Sequence, residues 1–116
     1  MQEKESEIVK WIKELEEKRG KLDVQIDELD RETARIKWRI TQLEEFKRKI
    51  EEGVIQIAQS EVIVERAELE MKTLAHLQGE RREHKGEIAA ERQFCNAFVS
   101  YLRSKLESVR EKSPPS

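Results

Sequence analysis

Counting in sevens from Ile8 gives Leu15, Leu22, Leu29, Ile36, Leu43, Ile50, Ile57, Val64 and Met71, an unbroken apolar series. A repeat of seven keeps one stripe of an α-helix against a neighbouring helix, because it matches 3.5 residues per supercoiled turn. Four residues after each of these stand Ile12, Arg19, Ile26, Thr33, Ile40, Lys47, Val54, Glu61, Glu68 and Ala75. The apolar members of that second set, up to Val54, are all β-branched. The first series is therefore assigned to heptad position d and the second to a, a combination that favours two parallel strands.

The flanking charges agree with a parallel, in-register homodimer. Position g faces position e five residues later on the sister chain. That pairs Lys18 with Asp23, Glu32 with Lys37 and Arg39 with Glu44, all attractive. The polar a residues Arg19, Thr33 and Lys47 read as devices that disfavour trimers and slipped registers. The expected dimer seam is Ile8, Ile12, Leu15, Leu22, Ile26, Leu29, Ile36, Ile40, Leu43, Ile50, Val54 and Ile57.

After Gly53 the pattern changes. Glu61 and Glu68 occupy a, where each would face its own copy. A second stripe, Ile55, Val62 and Leu69, appears on another face and is widened by Ile63 and Leu77. A helix apolar on two faces is packed on two sides. A polar stretch from Gln78 to Gly86 then carries Gly79 and Gly86, residues that commonly follow a helix end. Beyond it Ile88, Cys95, Leu102 and Val109 recur at seven, with Phe94, Phe98, Val99, Tyr101 and Leu106 broadening the face.

The expectation is an all-α chain with a two-stranded coiled coil over 1–53 and a helical hairpin over 54–112. Its loop falls at about 78–87, and 113–116 form a flexible tail. The last helix, 87–111, folds back, and two chains make a four-helix bundle. The helix over 3–78 would span roughly 110 Å and the returning one roughly 37 Å. The bundle core is expected from Val62, Val64, Leu69, Met71, Leu74, Ile88, Phe94, Cys95, Phe98, Leu102 and Val109. The alternative is a continuous helical rod, in which Leu74, Arg81, Ile88, Cys95, Leu102 and Val109 follow a three-residue phase shift.

Composition supports helices. Charged residues make up 41% and apolar residues 36%, with four Gly, two Pro and one Asn among 116 residues. So few turn formers argue against a β or α/β fold. A net charge of −2 creates no global field for nucleic acid or anionic membrane. No apolar run is long enough to span a bilayer, so no membrane partner is expected. Residues 1–5 do not resemble a secretory leader. With a single Cys and no disulfide framework, an intracellular (cytoplasmic or nuclear) setting is expected.

Candidate chemistry is sparse. Cys95 shares its stripe with Ile88, Leu102 and Val109 and reads as a small buried hydrophobe. His76, Glu80 and His84 do not make a metal-ligand set. No phosphate loop or catalytic motif is present, so the chain is expected to be non-enzymatic and to need no cofactor. Basic clusters at Arg35, Lys37 and Arg39 and at Lys47, Arg48 and Lys49 are interleaved with Glu44, Glu45, Glu51 and Glu52. Trp38, at the outermost position f, has no packing role in a dimer and is a candidate partner contact. The expected function is homodimerisation within a larger assembly, with the C-terminal bundle as a docking surface for another protein. The alternative is a nucleic-acid-binding dimer that uses the two basic clusters.

Overall fold

Two helices account for every described residue outside 52–59. In the computed structural model, which describes residues 2–112, α1 is Gln2–Glu51 and α2 is Ser60–Lys112. The all-α expectation holds. The expected tail, 113–116, lies outside the described residues.

The reversal of the chain comes at Gly53, not at 78–87. Gly53 has a φ of 76°, the left-handed conformation that an L side chain enters only with strain. Its N–H donates to the Ile50 carbonyl at 3.1 Å, and the Val54 N–H donates to the Lys49 carbonyl at 2.9 Å. This paired closure uses two carbonyls that the helix end would otherwise leave without partners. Arg48 and Lys49 in the last turn of α1 suit its negative end. α2 begins at Ser60, where the Ile63 N–H reaches the Gln59 carbonyl at 3.2 Å. Glu61 in its first turn suits the positive end.

The expected loop at 78–87 is helix throughout. Gly79 and Gly86 have room for a Cβ and do not need positive φ. They are weak points inside a helix, not stops. The expected phase shift disappears too. Met71 and Leu74 are successive members of one three-four alternation: Val64, Ala67, Met71, Leu74, Gln78, Arg81, Lys85, Ile88. The same spacing continues through Cys95, Val99, Leu102, Leu106 and Val109. The apparent new phase is the step from a to d, once Val64 and Met71, assigned to d from the α1 count, take position a in α2.

The chain divides into two units. The turn unit, Glu28–Lys85, holds the end of α1, the turn and the start of α2. Leu29, Ile36, Ile50 and Ala67 are buried in it, with Ile40, Leu43, Val64, Met71 and Leu74 half-buried. Its two helix segments run antiparallel. Asp30 pairs with Lys85 at 2.6 Å, Glu32 with Arg81 at 2.9 Å and Lys47 with Glu68 at 2.9 Å. The buried Arg81 Nε is close to Glu32 but not aimed at it, so that contact is an ion pair and not a hydrogen bond.

The terminal unit combines α1 up to Asp27 with α2 from Gly86 onward. Leu15, Leu22, Ile88, Cys95, Val99 and Leu102 form its buried core. Ile8, Ile12, Ile26, Phe98, Leu106 and Val109 are half-buried around it. Full burial of each large aliphatic chain stabilises by about 1.5–3 kcal/mol. Here too the segments are antiparallel. Glu5 pairs with Arg110 at 2.6 Å, Glu16 with Arg103, Lys18 with Glu91 at 2.8 Å and Asp23 with Arg92 at 2.5 Å. From Glu5 to Asp23 along α1, the partner steps back by the same number of residues, so the register does not slip.

These pairings correct the parallel seam. The stripe on α1 is covered by α2 of the same chain, running the opposite way, and not by a parallel sister strand. A heptad stripe specifies that a helix lies on it, and a tethered helix has a high effective concentration. The a-position acid Glu68, which would repel its own copy in a parallel pair, meets Lys47 instead. Arg19 donates to the Asn96 side-chain oxygen at 3.2 Å. Lys18, Asp23 and Glu32 all find partners on α2. Val54 and Ile57 leave the seam altogether, because they lie in the 52–59 connection and are exposed.

Candidate association surface

The spacing of aromatic residues on the terminal part of α2 builds the most distinctive surface. Ile88, Cys95 and Leu102 face α1. Phe98 is one wheel position off that seam, and Phe94 and Tyr101 are two positions off it. Steps of four and three therefore align Phe94, Phe98 and Tyr101 on the flank of the helix. Their ring centroids are 5.6 Å apart for Phe94–Phe98 and 5.9 Å for Phe98–Tyr101, both stacked. Trp11 of α1 meets Phe98 edge-on at 4.7 Å with an interplanar angle of 81°. Such geometries contribute about 0.5–1.5 kcal/mol each beyond burial.

This ladder remains open to solvent. Phe94 is 61% exposed, Tyr101 58% and Trp11 44%. Beside it runs a groove of about 330 Å³ lined by Ile8, Trp11, Phe98, Tyr101, Leu102 and Val109, with Lys4, Glu7 and Lys105 at its rim. Contiguous apolar surface of this kind marks a contact site.

A charged contact also joins the two helices of the terminal unit. Glu91 accepts a hydrogen bond from Lys18, and that bond, followed by the Glu91 charge, raises the Lys18 pKa above its ordinary 10.5. In the turn unit the hydrogen bond and charge of Glu68 raise Lys47 in the same way. These groups are solvated, so their contribution to stability is small.

Among the expected core residues, Ile88, Cys95 and Leu102 are buried, while Val64, Met71, Leu74, Phe98 and Val109 are half-buried. Val62, Leu69 and Phe94 are exposed. Sequence reasoning passed over Ala67, which is buried; its signal was its place seven residues before Leu74. Trp38 is 64% exposed, next to Ala34, Arg35 and Arg39. Lys47 pairs with Glu51 and Glu68, Arg48 with Glu52, and Lys49 with Glu45.

Cys95 is 1% exposed and sits in the core. His76 pairs with Glu80 at 3.1 Å. Among the described residues, no three His, Cys, Asp or Glu side chains come together to hold a metal ion. No described helix is long and apolar enough to cross a membrane. Searches against protein-family models, curated proteins and solved structures find no match to this chain.

Proposed function

We propose that this chain is a non-enzymatic association module that joins copies of itself and organises a larger assembly through a helical docking surface. The observation that carries this reading is the exposed aromatic ladder of Trp11, Phe94, Phe98 and Tyr101. Trp11 and Phe98 pack on each other across the helix pair, but Phe94 and Tyr101 leave most of their surface in water, and no contact with α1 demands their size. An aromatic residue left half in water gains most of its value when a partner covers it. The heptad stripe on α1 is already used inside the chain, so association runs through other faces.

A nucleic-acid reading draws less support. Of its two basic clusters, the one at Lys47, Arg48 and Lys49 has a carboxylate within ion-pair distance of each cation, which weakens it as a track for a phosphate backbone. The test is mass in solution. Multi-angle light scattering over a concentration series is expected to show a species of twice the 13.8 kDa chain mass. A mass that stays at one copy up to hundreds of micromolar refutes self-association.

A further inference from the structure

The terminal part of α2 carries a second heptad seam that no described residue covers. Its members are Ala90, Phe94, Ala97, Tyr101 and Ser104, spaced alternately by four and three, and all are exposed. This is the 3.5-residue repeat of a helix-packing face, set apart from the stripe that meets α1. Large and small residues alternate along it, the arrangement in which facing helices interlock.

We infer that this seam is the interface for a second copy of the chain, with the two α2 helices antiparallel about a two-fold axis close to Phe98. The inference rests on the self-association proposed above and specifies its surface. Antiparallel packing places a against d. In the register where residue numbers add to 198, Tyr101 falls opposite Ala97 of the second copy, and Phe94 falls opposite Ser104. Each aromatic thus meets a small side chain, and the two-fold axis makes both contacts twice. The flanking positions agree. Glu91 falls beside Lys105 of the second copy, an attractive pair also made twice, and the two copies of Phe98 meet near the axis. Charge and size complementarity in one register selects a second copy over an unrelated helix. Two terminal units joined this way form a four-helix layer in the order α1, α2, α2, α1, because the seam lies nearly opposite the stripe that meets α1.

A size swap tests this on the full chain. Tyr101→Ala leaves a gap opposite Ala97, and Ala97→Tyr collides with Tyr101 of the other copy. Each is expected to raise the dimer dissociation constant about tenfold or more. The double variant, with large and small exchanged, is expected to recover most of that loss. Lys105→Glu places like charge beside Glu91 and is expected to weaken the dimer about threefold or more at low salt. All four positions changed or opposed are exposed, so circular dichroism of the variants is expected to match the wild type. A wild-type chain that stays a single copy overturns both the function and this interface. A wild-type dimer with dissociation unaltered in Tyr101→Ala and Ala97→Tyr overturns the interface alone.

Discussion

Replacing Gly79 and Gly86 by Ala tests where the chain bends. Both glycines lie within α2, and a Cβ built at either meets nothing within 4 Å. Neither has a positive φ. The gain from Ala is then the lost flexibility of the unfolded chain, about 0.5–1 kcal/mol per site. Seven residues of helix separate the sites by about 10.5 Å, far enough for the effects to add. The double variant should be more stable by roughly 1–2 kcal/mol. For a chain of 116 residues the unfolding entropy is about 0.24 kcal/mol per kelvin, so the melting temperature should rise by about 4–8 °C. Thermal melts followed at 222 nm by circular dichroism read this directly. Gly53→Ala is the control of opposite sign. Its φ of 76° should make Ala cost about 1–2 kcal/mol and lower the melting temperature. If the chain instead reversed at 78–87, with a glycine closing the helix, the signs would exchange. A lower melting temperature for the double variant refutes the continuous α2.

Leu102 is 4% exposed in the terminal core, so Leu102→Asp should bury a carboxylate without a partner and lose several kcal/mol, about 3 or more. Urea titration should show an earlier midpoint, and an unchanged profile would contradict the core assignment. Alkaline pH gives a further prediction. The Lys18 pKa is raised above 10.5 by its hydrogen bond to Glu91. A group raised in the folded state stabilises fully below its unfolded value and loses that effect as pH climbs through the folded value. The stability gap between wild type and Lys18→Gln should therefore be constant up to about pH 10 and close above 10.5. A gap that persists at pH 12 would show that the ion pair is not its source.

The sequence determined the local physics. The sevens from Ile8 fixed helix and identified the buried face of α1 from Leu15 to Ile50, and the separate sevens from Ile88 set Cys95 and Leu102 inside. The wide apolar face around Phe94 and Tyr101 was equally legible, because an amphipathic period states which side of a helix needs cover. The partner of that face was beyond its reach. A heptad stripe is satisfied by a parallel sister strand or by an antiparallel return of the same chain, since the energy of burial has no direction. Side-chain pairing broke the tie. Lys18 with Glu91, Asp23 with Arg92 and Lys47 with Glu68 exist only once the chain reverses at Gly53. The choice among glycines followed the same logic: four Gly look alike in a sequence, and only Gly53 closes its helix with a left-handed backbone. Periodicity is a local property of each helix, whereas direction and turning point depend on contacts between residues far apart in the chain, and those are set only when the helices pack.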